Sequence, residues 1–299
     1  MQGLQHPARL SVAVIGAGRV GAVLGAALAA AGHRVVGAYA VSDASRERAA
    51  ALLPGVPLDG IPELIAQADL AVLAVPDDAL AGLVTGVATT TGWPVGQLVL
   101  HTSGRVGTSV LAPARAQHAL PLALHPAMTF SGTAMDLDRL RDCVFGSTCD
   151  PELRPIAEAL VLDMGGEVVW VAESDRAAYH CALAHGANHL VTLIAQAMEL
   201  LRSGLGIDTP NRVLAPLVTA ALDNALRLGD TALTGPVARG DVGTVETHLR
   251  ELDRLSPEIR RTYVAMARAT ALRALDDGRL APVAAAALLH TLADQEPRP

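Results

Sequence analysis

Up to about residue 172, short apolar runs rich in valine and leucine alternate with longer stretches whose apolar residues recur at helical spacing. The runs Val12–Ile15, Val35–Tyr39, Leu70–Val75, Leu98–His101, Pro121–Leu124, Cys143–Gly146 and Glu167–Val171 are the predicted strands. Several are apolar on both faces, as a parallel sheet covered by helices on both sides requires. The alternation predicts an open, doubly wound α/β sheet. From Ser174 to Glu296 the texture changes: no run reads as a strand, and helical spacing dominates. Pro210, Pro216, Gly235–Pro236, Ser256–Pro257 and Pro282 divide this half into five or six helices. Two domains are therefore expected, an α/β domain over residues 1–172 and an all-helical domain over 173–299. Only the last few residues read as a loose tail.

Composition narrows this picture. A chain of 299 residues buries roughly three quarters of its unfolded surface and needs no disulfide or metal staple. With 51% apolar but only 2% aromatic residues, its core must be built from Ala, Val and Leu. A net charge of −7 argues against sequence-independent nucleic-acid binding. Cys143, Cys149 and Cys181 form neither a paired framework nor a metal-binding CxxC, which fits a reduced cytoplasm. All 23 basic residues are arginine, and mutational bias toward G and C is one sufficient cause. Whatever the cause, Schiff-base catalysis, a P-loop lysine and a lysine general acid are excluded. The uncharged stretch Ala79–Gly104 is interrupted by Gly, Thr and Pro94 too often for a spanning helix. The apolar run after the N-terminal arginine is broken by glycines and Arg19, unlike a signal peptide. A soluble, cytoplasmic protein is expected.

The segment VAVIGAGRVGAVLGAALAAAGH sets Gly16, Gly18 and Gly21 as GxGxxG directly after a strand and at the opening of a helix. Gly16 permits the tight turn, Gly18 admits a pyrophosphate to the backbone, and Gly21 allows close helix–strand packing. Dinucleotide binding is the reading, with Arg19 and Val20 at the helix start, and Val75 and Pro76 after the third strand, as further contacts. About twenty residues on, where an NAD site carries a carboxylate for the ribose, stands Ala40, followed by Val41, Ser42 and Asp43. A 2′-phosphate would meet no repulsion at Ala40, and Ser42 and Arg46 can donate to it, which favours NADP. Asp43 speaks against this, and Ser42 can equally cap the next helix.

Ligands of a doubly wound sheet lie outside the carboxyl ends of its strands. There stand Pro76–Asp77–Asp78, His101–Thr102–Ser103–Gly104 and His125–Pro126. In the helical half, Tyr179, His180, His185, Asn188 and His189 interrupt an apolar helix, and His180, Ala184 and Asn188 share a face at i, i+4, i+8. Such groups left unpaired cost on the order of 1–3 kcal/mol each, so either a ligand or a polar packing network faces them. A third cluster is LTGPVARGD, Leu233–Asp241, where Arg239 can fork onto a carboxylate, cap a helix or pair with Asp241.

HTSG (His101–Gly104), LHP (Leu124–Pro126), AYH with AN (Ala178–His180, Ala187–Asn188) and LTGPVARGD together resemble one group of bacterial proteins. These pair a Rossmann-like domain with a C-terminal helical domain of unknown function, and the resemblance runs from about Ser11 to about Leu275. The group is similar to the wider superfamily of 6-phosphogluconate dehydrogenase, pyrroline-5-carboxylate reductase and ketopantoate reductase. The resemblance implies NADP-dependent carbonyl or imine reduction in a cleft between the domains, and a homodimer built on the helices. One feature departs from the superfamily. Asn188 matches an asparagine of the first interdomain helix, but Ala184 stands where many members place a lysine four residues earlier.

The expected activity is NADP-dependent reduction of a small 2-oxo acid, ketopantoate being the most specific substrate. His180 is the expected general acid, because an imidazole titrates near working pH. Asn188 and Ser103 would polarise the carbonyl oxygen, His125 is the reserve acid, and Arg239 anchors the carboxylate. An imine reductase is the alternative enzyme, since a protonated imine needs less acid catalysis. A dinucleotide-binding regulatory protein without turnover is the alternative outside enzymes.

Overall fold

The computed structural model describes residues 9–293. In chain order it forms β1 (Ser11–Ile15), α1 (Arg19–Ala30), β2 (Arg34–Tyr39), α2 (Asp43–Leu52), α3 (Ile61–Gln67), β3 (Leu70–Leu73) and α4 (Asp77–Thr90). Next come β4 (Leu98–His101), α5 (Ala112–Arg115), β5 (Leu120–Pro126), α6 (Met135–Leu140), β6 (Val144–Thr148), α7 (Arg154–Asp163) and β7 (Glu167–Trp170). The rest is helical: α8 (Arg176–Leu183), α9 (His189–Glu199), α10 (Pro210–Leu228), α11 (Gly235–Arg239), α12 (Val242–Leu255), α13 (Pro257–Asp276) and α14 (Pro282–Ala293). The chain divides into two compact units between Gly186 and Ala187. The loose tail expected at the end lies outside the described residues.

In the first unit the strands form one sheet in the order β2-β1-β3-β4-β5-β6-β7. The strand order reverses between β1 and β3, which is where a doubly wound sheet opens its ligand crevice. Alternate residues of β1 feed two cores. Val12 and Val14 pack with Leu24 and Leu28 of α1 on one face, and Ala13 and Ile15 pack with Leu64 and Leu80 on the other. Gly21 to Leu28 of α1 are all buried, as expected of a helix apolar all round.

The all-parallel expectation fails at β6, which pairs antiparallel to β5. The intervening connection holds one six-residue helix, about 9 Å long. That is too short to carry the chain back along a strand of seven residues, about 23 Å. The chain therefore re-enters the sheet at the end it left. Strand ends also differ: β3 stops at Leu73 instead of Val75, and β5 runs on to include His125 and Pro126.

In the second unit α11 to α14 enclose a core of Val245, Leu249, Val264, Ala271 and Leu288. Pro216, expected to break a helix, lies inside α10 instead. It forfeits the single i→i−4 bond to the Arg212 carbonyl, near a helix start whose first N–H groups are unpaired anyway. No helix among the described residues is long and apolar enough to cross a membrane.

Candidate active site

The loop between β1 and α1 takes its shape from its glycines. Gly16 has φ +99°, and a Cβ there would come within 2.6 Å of the Ala74 carbonyl oxygen. A Cβ at Gly21 would collide with the Gly16 carbonyl oxygen, so this glycine lets α1 close onto the loop. Gly18 is different, because a Cβ there meets nothing within 4 Å. It is the N-cap of α1, whose first turn carries no side-chain cap and no acidic residue. Bare backbone and the positive end of a helix thus border open space, which is what a pyrophosphate requires. On its other side the loop is tied down by the Gly16 and Ala17 N–H groups, which both donate to the Tyr39 carbonyl at 3.1 and 2.9 Å. Val75 borders the loop through Cγ1, and Pro76 is the N-cap of α4. Val20 packs on the sheet core, while Arg19 lies with Arg48 against Gly132.

At the ribose end the Ser42 hydroxyl caps α2, accepting from the Ser45 N–H at 3.2 Å. Arg46 is exposed and paired with Asp43 at 2.9 Å. Capping is thus the role the geometry gives Ser42, and Arg46 would exchange Asp43 for any phosphate it held.

His101, at the end of β4, is fully buried and spent on structure. The Ser103 N–H donates to its Nδ1 at 3.2 Å, so its hydrogen is on Nε2, 2.8 Å from the Gly107 carbonyl oxygen it donates to. Burial pushes its pKa down to about 4, and it is neutral at neutral pH. These bonds fold the 103–107 turn. Within it Ser103 is buried, and its hydroxyl accepts from the Arg105 N–H at 3.3 Å.

Gly104 of this turn sits between two imidazoles: a Cβ would lie 2.9 Å from His125 Nε2 and 2.9 Å from His180 Cδ2. His125 comes from β5 and His180 from α8, and their rings stand edge to face with centroids 6.4 Å apart. His125 Nδ1 is 3.0 Å from the Tyr179 hydroxyl. Burial, with Arg176 and His180 adding to it, lowers the His125 pKa to about 4, and burial raises that of Tyr179. Ser103, His125 and His180, separated by up to 77 positions in sequence, are thus brought together.

Asn188 and Arg239 belong to the second unit. Residues Ala184–Asn188 form a π-helical turn, so the 100° per residue behind the i, i+4, i+8 face does not apply across it. Arg239 ends α11 exposed; Asp241, weighed as its partner, caps α12 by accepting from the Thr244 N–H at 3.1 Å. Two contributors escaped the sequence reading. The sequence pattern puts Tyr179 in the polar cluster without a role and does not distinguish Arg176 at all. The one signal in the sequence is an arginine one helical turn before the tyrosine; its burial is decided by the fold. Separately, a cavity of about 750 Å3 is lined by Arg115, Asp150, Arg154, Trp170 and Glu173. Its charges are engaged, Arg115 with Asp150 at 2.6 Å and Arg154 over the Trp170 ring at 4.8 Å.

A glycine loop at the switch point of a doubly wound sheet, with a histidine cluster along the same sheet edge, defines a Rossmann-like dinucleotide-binding class. Residues 2–126 match the Rossmann-like domain, and residues 143–270 match the domain of unknown function DUF2520. The chain thus matches a Rossmann-like domain followed by a DUF2520 domain. Its fold is shared with a candidate NADP oxidoreductase from Bacteroides fragilis, at 24% identity and TM-score 0.74, over 88% of this chain and 98% of that one. A reductive aminase from Aspergillus terreus shares it at 18% identity and TM-score 0.64, over 97% and 100%. So does a pyrroline-5-carboxylate reductase from Coxiella burnetii, at 18% and 0.53, over 90% and 98%. No curated protein matches the chain in sequence.

Proposed function

We propose that this chain is an NADP-dependent reductase of a small substrate carrying a C=N or C=O bond, and that a C=N bond is its natural target. The glycine loop would hold the pyrophosphate through bare backbone at Gly18 and the N-terminus of α1. Arg46, with Ser42 beside it and no carboxylate at Ala40, would favour a 2′-phosphate. Bound NADPH would supply the hydride. The chain's own part is to orient the acceptor bond and to handle the proton, and the His125–Tyr179 pair carries that reading.

With the Tyr179 hydroxyl donating to Nδ1, His125 keeps its hydrogen on Nε2, on the side of Gly104. A ring that takes a second proton only near pH 4 is a hydrogen-bonding group at neutral pH, not a cationic acid. That suits a protonated imine, which needs orientation but no added proton. Structures sharing this fold include a reductive aminase and a pyrroline-5-carboxylate reductase, in agreement with this choice. Reduction of a 2-oxo acid such as ketopantoate is the second reading, favoured by His180. Its ring stands beside His125 and could deliver the proton a developing alkoxide needs. The roles of Asn188 in polarising the acceptor and of Arg239 in anchoring a carboxylate are part of the same proposal. A homodimer formed by the helices of the second unit completes it.

NADPH oxidation across a panel of cyclic imines and 2-oxo acids tests the proposal. Turnover is expected with an imine, and His180→Ala should leave it within about threefold. With a 2-oxo acid as the true substrate, His180→Ala would instead lower kcat at least tenfold, roughly the least a positioned acid contributes. No turnover with either class would point to a regulatory protein.

A further inference from the structure

Arg176 is the largest fully buried side chain in the molecule's described core, 1% exposed. All three of its guanidinium nitrogens donate to neutral oxygens. Nε donates to Thr148 Oγ1 at 2.8 Å, and Nη2 to the carbonyls of Ala123 at 2.9 Å and Gly146 at 3.0 Å. Nη1 donates to the Ser103 carbonyl at 3.4 Å. One side chain therefore joins the turn after β4, β5, β6 and the first turn of α8. Glu173, the carboxylate that acts on it electrostatically, is occupied in accepting from the Thr108 and Ser109 N–H groups at 2.7 and 3.2 Å.

A buried cation without a contacting carboxylate is costly, and apolar packing would fasten a helix to a sheet at less expense. What apolar packing cannot supply is directed hydrogen bonds and a positive charge at this place. Every group that Arg176 holds belongs to the site or adjoins it. Ser103 precedes Gly104, Ala123 lies two residues before His125 on β5, Gly146 is the strand partner of His125, and Tyr179 is one turn along α8 with its ring 5.9 Å from the guanidinium carbon.

We infer that Arg176 is the positioning residue of this site, clamping α8 to the sheet so that the Tyr179 hydroxyl meets His125 Nδ1 while Gly104 stays beside Nε2. This rests on His125 being the site histidine of the proposed reductase. The charge has a second consequence. His125 is faced by Arg176, Tyr179 and His180 from α8, by His101 from β4 and by Asp77 from the start of α4. Of these Arg176 is the fixed cation. It opposes a second proton on His125, while Asp77 favours one.

The test is the titration of His125 in the full-length protein, followed by imidazole nitrogen NMR with His125→Gln identifying the signal. No substrate is needed, so a failed activity assay leaves this result standing. Wild-type His125 should remain neutral and protonated on Nε2 down to about pH 4. Arg176→Met should raise its midpoint by roughly one unit or more, and Arg176→Lys, which keeps the charge, should restore most of the low value. In the active enzyme the acid limb of kcat should move with the titration while KM for NADPH stays put. If Arg176→Met does not fold, Thr148→Val removes the acceptor of Nε, along with the hydroxyl's own bond to the Val171 carbonyl, and a smaller upward shift is expected. A folded variant of either kind in which His125 titrates as in wild type would overturn the inference.

Discussion

At the scale of single residues, the two buried histidines do different work. His101 has both ring nitrogens committed to the 103–107 turn, whereas His125 has one nitrogen on Tyr179 and the other beside Gly104. Both are held neutral by burial, with pKa values near 4 against an ordinary 6.5. The sign of the linkage follows directly. Above pH 6.5 each is neutral in folded and unfolded chains alike and contributes no pH dependence. Between 6.5 and 4 the unfolded chain binds a proton that the folded chain does not, so stability falls with pH. The slope is about 1.4 kcal/mol per pH unit for each histidine, and it ends near pH 4. Urea unfolding between pH 4 and 7.5 should show this decline. His101→Asn should be less stable at pH 7.5 but lose less on acidification. An unchanged slope would mean that His101 is not held neutral by the fold. His125 was legible in the sequence as a polar group at a strand end. The partner that gives it a role, Tyr179, lies 54 positions away, and only the packing of α8 on β6 brings it there.

At the scale of elements, the β1–α1 unit is the part a local pattern specifies most fully. Strand, glycine loop and alanine-rich helix follow one another without a gap, and each glycine meets its own constraint within a few residues. This gives a sharp prediction for Gly18. Because a Cβ there touches nothing, Gly18→Ala should keep the thermal midpoint within about 2 °C, a change under ~1 kcal/mol. It should nevertheless weaken NADPH binding at least tenfold, about 1.4 kcal/mol, as read by fluorescence titration. Full affinity in the variant would move the pyrophosphate elsewhere. In the same titration wild type should prefer NADPH to NADH by about tenfold or more, and Arg46→Ala should narrow that gap. Its surface pair with Asp43 costs little to break. The interdomain helix was less legible. A π-turn occupies Ala184–Asn188, and the periodicity of the sequence carries no mark of it.

At the scale of the whole molecule, three boundaries do not coincide. The apolar texture changes at 172/173, the DUF2520 match starts at Cys143, and the compact units divide at Gly186/Ala187. The reason is that β6 and β7 complete the sheet, while Arg176 fastens the first helical turns after it to the same sheet. The helices that follow leave apolar side chains in water. Val191 of α9 and Leu217 and Leu226 of α10 are 68%, 67% and 79% exposed. A second copy covering this surface is the occupant we propose. Light scattering at micromolar concentration should give twice the chain mass, and Leu226→Glu should shift it toward monomer. A monomeric wild-type protein would count against the dimer.

The sequence by itself determined the doubly wound order, the glycine loop, the absence of a lysine acid and the helical second half, because each depends on residues close together in the chain or on composition. Tertiary structure decided the direction of β6, the burial of His101, the pairing of His125 with Tyr179 and the place of Arg176. The last two depend on contacts across 30 to 73 positions, such as the bonds from Arg176 to Gly146 and Ser103, which no local period encodes. A short connection turned one strand around, and a single buried cation then joined the elements that the site requires.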